Sequence, residues 1–229
     1  MGSFAYPSVA RMAERGCAFR MLKIGINKVI KILITSDFFL QSGWGMIGPI
    51  FAIFLTKQIE GGSVAAVGFI AATYWLTKSI FQPFIAYALD VKKGERDDFE
   101  FLVWGMYIAN LIPIGYFFAK EIWQIFVLEI IRALAMACVV PSWSAIFTRH
   151  VDKGWEALSW SIESTGIGFA AAFAGALGGI LATLFGFKIV FILVSFFGLI
   201  SSSLLLLIKN QIFPKDHFKP RIPPSEKPF

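Results

Sequence analysis

Long apolar stretches separated by short polar connections dominate the pattern of this chain. A run of about 20 apolar residues is enough to cross the hydrocarbon of a bilayer as a helix. The sequence contains six such runs, at 32–56, 63–89, 101–120, 122–147, 157–185 and 189–208. We therefore predict an all-α integral membrane domain over 32–208, preceded by a basic segment (1–31) and followed by a tail (209–229).

A second pattern is an internal repeat. Three residues recur at a constant offset of 92 positions: Pro49, Thr56 and Gly62 return as Pro141, Thr148 and Gly154. Each repeat, about 32–120 and about 122–208, holds three predicted spans, and an odd number of spans forces the second copy to lie inverted in the membrane. Inverted repeats are typical of secondary transporters. The repeat thus indicates secondary active transport of a small solute.

Composition agrees with a membrane protein and excludes a soluble domain, because 57% of the residues are hydrophobic and only 16% are charged. Lysine and arginine crowd the amino-terminal segment, the loops after the second and fourth spans, and the tail. The opposite loops carry only Lys57, Lys120 and Lys188. Positive residues mark the cytoplasmic side, so we predict a multi-pass protein of the cell (inner or plasma) membrane with both termini cytoplasmic.

This topology accounts for the net charge of +6, and no nucleic-acid partner is predicted. Contacts with anionic lipid headgroups are expected instead. Residues 10–31 alternate apolar and basic positions, which fits either a helix on the inner leaflet or a disordered segment. The proline-rich stretch from residue 214 is predicted to be disordered.

Candidate chemistry outside transport is sparse. Cys17 and Cys138 are far apart, and His150 and His217 are isolated, so neither a disulfide nor a metal site is predicted. The chain has no nucleophile elbow with a matching histidine, no zinc-protease motif and no nucleotide loop. No enzyme activity and no cofactor are expected.

The loop after the second span carries a recognisable motif. It begins with Asp90, continues through a lysine pair to Gly94, and ends with Arg96. It resembles the loop between helices 2 and 3 of the major facilitator superfamily, in which an Asp closes helix 2, a Gly follows four residues later and basic residues surround both. The resemblance implies that Asp90, Gly94 and Arg96 belong to a gating loop, with Asp90 capping a helix of the opposite half of the transporter.

Two further features resemble the same family. Arg132 matches the placement of its buried helix 4 arginine. Gly166, Gly175 and Gly179 keep the glycine spacing of its helix 5 motif, although Ile180 replaces the proline that follows. Family members have twelve helices in two six-helix halves, so this chain resembles a half-size member. The resemblance implies a parallel homodimer that surrounds the solute, or else pairing with a different half-size chain.

Ionisable residues within the bilayer are costly and call for an explanation. Glu129 and Arg132 are three residues apart, on one face of the fourth helix. They form either a self-neutralising pair or part of the solute pathway, where the resemblance places the arginine.

Asp37, Gln41 and Trp44 share one face of the first helix. Asp37 either reaches back to the membrane interface or faces the cavity, as the family's first helix does. Burial disfavours the ionised form of a carboxylate, so Asp37 or Glu129 could load and release a coupling proton.

Lys78 and Gln82 share a face of the second helix, and Glu163 opens the fifth. In the family these helices pack on the opposite half, so Lys78 is expected either to meet Glu163 of a second copy or to find a partner in its own bundle. Pro49 and Pro141 are expected to kink the first and fourth helices. A non-transporting membrane scaffold is the alternative function.

Overall fold

The computed structural model describes residues 26–91 and 94–213, and these residues fold almost entirely as helices. The α-helices are α1 (Lys28–Ile47), α2 (Phe51–Gln58), α3 (Val64–Val91), α4 (Glu95–Phe118), α5 (Ile122–His150), α6 (Glu156–Phe185), α7 (Phe187–Leu205) and α8 (Lys209–Ile212). A 3₁₀ turn, Leu206–Ile208, joins the last two. The described residues contain no strand, only an isolated bridge between Glu60 and Glu121.

Six helical segments of the described residues are long and apolar enough to cross a membrane, as the sequence predicts. We call them spans 1 to 6: Lys28–Gln58 (α1 and α2), Val64–Val91, Glu95–Phe118, Ile122–His150, Glu156–Phe185 and Phe187–Ile212. An even number of spans returns the chain to the end of the bundle at which it entered. We call this the basic end, because Lys28, Arg96, Arg149 and Lys209 lie there.

The span limits differ from the predicted ones mainly at span 3. It begins at Glu95, six residues before the predicted start at residue 101, and its first turn carries Glu95, Asp97 and Asp98. Acidic side chains favour a helix amino terminus because of the partial positive charge of the backbone there. Span 1 begins within the predicted basic segment, at Lys28, where the side chain of Asn27 accepts a hydrogen bond from the backbone N–H of Val29. The rest of that segment, 1–25, and residues 214–229 of the tail lie outside the described residues.

The two repeat-related prolines lie in different surroundings. The helix of span 1 stops at Ile47 and resumes at Phe51, so Pro49 falls in the interruption. Pro141 instead lies inside the uninterrupted helix of span 4. The helix is therefore interrupted at Pro49, whereas span 4 stays helical across Pro141, whose missing N–H removes one backbone hydrogen bond. A kink at Pro141 stays a prediction.

The spans of the first half of the chain have the same kinds of neighbours as the corresponding spans of the second half. Span 1 packs against spans 5 and 6, and span 4 packs against spans 2 and 3. Spans 3 and 6 lie against each other, whereas spans 1 and 4 make only sparse contacts. Exchanging 1 with 4, 2 with 5 and 3 with 6 reproduces these neighbours.

Individual contacts follow the same exchange. The side chain of Asn110 donates a hydrogen bond to Ser202, 92 positions later, over 3.0 Å. Gly43 packs closely against Phe197, and the residues at the exchanged positions, Ala135 and Gly105, also pack closely. Residues 92 positions apart in the sequence therefore occur at matching contacts in these two places.

Burial is uneven among the spans. Only 11% of the most apolar window of span 2 and 17% of that of span 5 are buried in the bundle, against at least 39% in the other spans. Spans 2 and 5 therefore flank the bundle and leave most of their surface uncovered. Between them lie spans 1 and 4, whose mutual contacts are sparse, and we call the region between these two spans the crevice. Spans 3 and 6 pack against each other and against spans 4 and 1, respectively.

Candidate functional site

A compensated ion pair forms the centre of the candidate site. The guanidinium of Arg132 donates two hydrogen bonds to Oε2 of Glu129, at 3.0 Å from Nε and 2.6 Å from Nη2. The other oxygen of Glu129 accepts a hydrogen bond from the Tyr116 hydroxyl of span 3. Glu129 is only 2% exposed, and a carboxylate so deeply buried needs such partners. The pairing expected from the i, i+3 spacing is therefore present.

Two aromatic rings hold the arginine in place. Cζ of Arg132 lies 3.8 Å from the ring centre of Tyr74 and 4.8 Å from that of Trp44. A guanidinium at these distances from aromatic rings is attracted by their π-electrons. Spans 1, 2 and 4 thus meet at one cation, whose side chain remains 20% exposed.

A buried amide extends this cluster to span 6. Trp44 Nε1 donates to Oδ1 of Asn110 at 3.0 Å. The amide nitrogen of Asn110 donates to the backbone oxygen of Gly198 and to Ser202 Oγ, each at 3.0 Å. Asn110 is fully buried, so the orientation of Trp44, and through it of Arg132, is coupled to the packing of spans 3 and 6.

A second acidic group lies nearer the basic end. Asp37 is half-buried on the face of span 1 that also carries Gln41 and Trp44, and it lies within electrostatic reach of Glu163 in span 5. Glu163 is only 8% exposed. Among the described residues, neither carboxylate has a hydrogen bond or an ion pair. We call these two residues the carboxylate pair.

The two groups lie at different depths. Counted at 1.5 Å per residue from the helix ends at the basic end, the carboxylate pair lies about 10–14 Å deep. By the same count Trp44 and Arg132 lie about 24–27 Å deep. The crevice is therefore lined at two levels, with the ion pair deeper and the carboxylate pair between it and the basic end.

Lys78 and Gln82 line span 2 as half-buried residues. The ammonium of Lys78 lies 5.0 Å from the centre of the Trp75 ring and within electrostatic reach of Arg132. Counted by helix rise from the basic end, Lys78 lies about 20 Å deep and is therefore deeper in the membrane than Glu163. Glu163 is buried within its own bundle. Among the described residues Lys78 has no acidic partner, so its contact with Glu163 of a second copy stays a prediction.

The gating-loop residues are placed at the basic end. Asp90 is exposed near the end of span 2, and Gly94 precedes span 3 with a φ of 150°, a conformation that favours glycine. Arg96 pairs with Glu100 at 2.9 Å. Lys92 and Lys93 lie outside the described residues, and the capping of another helix by Asp90 stays a prediction.

One charged cluster was not anticipated from the sequence. At the basic end, Arg149 of span 4 pairs with Asp98 and lies 3.7 Å from Glu95 of span 3. His150 Nδ1 is 3.4 Å from the same Glu95 oxygen. The signal was present in the acidic first turn of span 3 and the basic last turn of span 4, which topology brings to the same end.

Aromatic rings of spans 4 and 5 pack together near that cluster. Trp160 of span 5 meets Trp143 and Phe147 of span 4, with ring centres 5.9 and 4.5 Å apart. Trp143 also stacks on Phe147 at 4.6 Å. These contacts join spans 4 and 5 on the basic-end side of the carboxylate pair.

These features define a polytopic helical membrane protein with charged residues between spans 1 and 4. The family model of the Major Facilitator Superfamily matches residues 33–228, and the chain belongs to that family. The match indicates a transporter rather than an enzyme.

Solved structures agree on the fold. The chain is similar to the POT family transporter PepTSo, whose crystal structure was determined in meso, with a TM-score of 0.65 and 14% sequence identity. The similarity covers 86% of this chain and 40% of that transporter, so the chain spans well under half of its length. Among curated proteins, no sequence matches this chain significantly.

Proposed function

We propose that this six-span unit moves a small solute by alternating access, with the crevice between spans 1 and 4 as part of the solute pathway. The observation that carries the proposal is the Arg132 cluster. An arginine held by a carboxylate and two rings, yet still partly exposed, offers directed N–H donors within a membrane domain. An arginine at this depth in a membrane is energetically costly, so its presence usually indicates a function.

We assign solute binding and proton binding to different levels of the crevice, so that transport of the solute is coupled to movement of a proton. The solute binds at the deeper level, where the exposed edge of Arg132 and the rings of Trp44 and Tyr74 contact it. The carboxylate pair, nearer the basic end, binds and releases a proton. Two carboxylates within electrostatic reach repel each other when both are ionised, so a proton on one of them relieves the repulsion. Glu129 is already engaged by Arg132 and Tyr116, which favours Asp37 as the coupling residue.

A second unit is needed to enclose the solute, and we propose that a second copy supplies it through a parallel two-fold axis. The uncovered surfaces of spans 2 and 5 support this pairing, because they flank the crevice on both sides. A two-fold axis along the membrane normal brings span 2 of one copy beside span 5 of the other. A different six-span unit, in place of a second copy, is the other candidate. The basic end is proposed to be cytoplasmic, following the distribution of lysine and arginine.

The solute pathway is tested by binding. The purified protein is heated in detergent with a panel of sugars, amino acids, dipeptides, carboxylates and amphiphilic amines, and its unfolding temperature is recorded. We expect one class to raise this temperature for the native protein and less, or not at all, for Arg132→Lys, which keeps the charge but loses the planar fork of donors.

A matched control is Lys120→Arg, which exchanges the same two residue types at an exposed loop position and should leave the shift intact. A shift that is equal in native protein and Arg132→Lys would exclude Arg132 from the solute site. If no compound raises the unfolding temperature and none is taken up by proteoliposomes, the scaffold alternative gains support.

A further inference from the structure

A groove lies between spans 3 and 4 on the outside of the bundle, and its lining residues include none of the charged residues of the crevice. It has a volume of about 440 Å³ and is lined by apolar residues that include Phe101, Trp104, Ile108, Ile131 and Leu134. Ile131, Leu134 and Cys138 follow i, i+3, i+7 spacing and share one face of span 4. Arg132 points elsewhere, so the groove is separate from the proposed solute site.

The groove exists because the two halves of the bundle differ at this point. Spans 5 and 6 pack against each other, but their counterparts, spans 2 and 3, make little contact. The surface of span 4 that carries Ile131 and Leu134 is left exposed, by 40% and 37% of these side chains' surface.

The polar end of the groove has a definite chemistry. Glu100 is its single charged lining residue, and it pairs with Arg96, whose Nε lies 2.9 Å from Glu100 Oε1. Both side chains are exposed, by 70% for Arg96 and 46% for Glu100. Among the described residues, the second oxygen of Glu100 and the two terminal nitrogens of Arg96 have no hydrogen-bond partner. One cationic donor and one anionic acceptor are thus presented side by side.

The depth of the groove fits one leaflet. From Glu100 to Ile108 the helix rises about 12 Å, close to half of the roughly 30 Å hydrocarbon thickness. An acyl chain in the groove would therefore place its headgroup at Arg96 and Glu100.

We propose that this groove binds a phospholipid with a primary-amine headgroup, phosphatidylethanolamine being the representative. One acyl chain lies along Trp104, Ile131 and Leu134. The phosphate accepts hydrogen bonds from Arg96, and the ammonium donates to Glu100. A choline headgroup has the same charges but no N–H to donate, so it fills the groove without bonding to Glu100.

The test uses native mass spectrometry of the full-length protein in detergent with equimolar phosphatidylethanolamine and phosphatidylcholine carrying identical acyl chains. We expect the native protein to retain the ethanolamine lipid about two- to fivefold over the choline lipid, the range for an exposed charge-assisted contact. Glu100→Gln should bring this ratio to about one while the number of retained lipids is unchanged.

The groove itself is tested by filling it. Ile131→Trp should lower the number of retained lipids, whereas Ile192→Trp should not. Ile192 is the matched control because it is 49% exposed, against 40% for Ile131, and does not line the groove.

Three results would overturn the proposal. The native protein could retain the two lipids equally, or Glu100→Gln could keep the ethanolamine preference. Ile131→Trp could also retain as many lipids as Ile192→Trp. If that variant instead lowers the fraction of dimer at constant lipid count, the groove binds a protein surface and the lipid site is excluded.

Discussion

Among single residues, the Glu129–Arg132 pair contributes to packing and is proposed to contact the solute, and the two roles can be separated. Removing one member of a buried ion pair leaves the other charge uncompensated, which costs about 3–5 kcal/mol, whereas replacing both with apolar residues is often neutral. Tyr116 adds to the imbalance, since its hydroxyl would lose its acceptor.

We therefore expect Glu129→Leu to lower the unfolding temperature strongly and the double variant Glu129→Leu with Arg132→Met to recover most of the loss. Stability is measured by thermal unfolding in detergent, with Glu60→Leu as the exposed control. The recovered double variant should bind no solute from the panel. Recovery of both stability and solute binding would show that the pair has no role in recognition.

Asp37 carries the proposed proton coupling. Replacing it by Asn keeps the size of the side chain but removes the titrating group, so an inward proton gradient should no longer drive accumulation. Exchange of the solute across proteoliposomes at equal pH should continue. The panel compound that raises the unfolding temperature most serves as the transported probe.

Asp152→Asn is the control for this prediction, because Asp152 is an exposed carboxylate in the loop between spans 4 and 5. Gradient-driven accumulation should persist in this variant. Accumulation that also persists in Asp37→Asn removes Asp37 from the coupling mechanism.

Residue pairs at fixed helical spacing were predictable from the sequence, but partners on other spans were not. The spacing of Glu129 and Arg132, and of Asp37 with Gln41 and Trp44, places them on shared faces whatever the fold. The contacts of Arg132 with Tyr74 and of Trp44 with Asn110 depend on how neighbouring helices are rotated and shifted, which periodicity does not determine. The relative depths of Lys78 and Glu163 in the membrane were likewise not predictable, because they depend on the residues at which spans 2 and 5 end and begin.

At the scale of elements, the glycines of span 5 divide into packed and unpacked positions. A Cβ on Gly178 would lie 2.7 Å from Cα of Met46 in span 1, whereas a Cβ on the next residue, Gly179, would meet nothing within 4 Å. Small residues allow such close approach of helices in lipid. The glycine spacing of the sequence did not separate these two roles.

Gly178→Ala should therefore push spans 1 and 5 apart and destabilise the bundle by about 1–3 kcal/mol, the usual range for overpacking. Gly179→Ala adds the same methyl group one residue away and should be neutral or slightly stabilising, since alanine favours the helix by about 1 kcal/mol. Thermal unfolding of the two variants side by side gives the comparison. Equal effects would mean that the close contact with Met46 does not support the fold.

The element limits were largely predictable because apolar length decides where a chain crosses a membrane. Span 3 was the exception, since its acidic first turn interrupts the apolar pattern while still favouring the helix. Pro49 and Pro141 occupy equivalent positions in the repeats, yet only Pro49 lies at an interruption. A sequence repeat therefore predicts that two residues occupy matching positions in the fold, but not that the backbone has the same conformation at both.

For the whole molecule, spans 1–3 and spans 4–6 have matching neighbours, the arrangement that the 92-residue offset predicts. That the second repeat is inverted in the membrane stays a prediction. Spans 1 and 4 border the crevice, spans 3 and 6 pack against each other, and spans 2 and 5 remain mostly uncovered. The charged residues of the crevice occupy two levels on this frame. The proposed transporter is complete only when a second unit covers the side that spans 2 and 5 flank.

The number of copies in the membrane decides whether the protein is a homodimeric transporter, and native mass spectrometry of the full-length protein released from lipid nanodiscs measures it. Nanodiscs large enough for two copies keep the membrane neighbours together until release. We predict the mass of two copies, with Gly179→Trp, on the uncovered surface of span 5, lowering the dimer fraction without lowering the unfolding temperature of the bundle. A single copy at every protein-to-lipid ratio, with no other six-span partner bound, would contradict the homodimeric transporter.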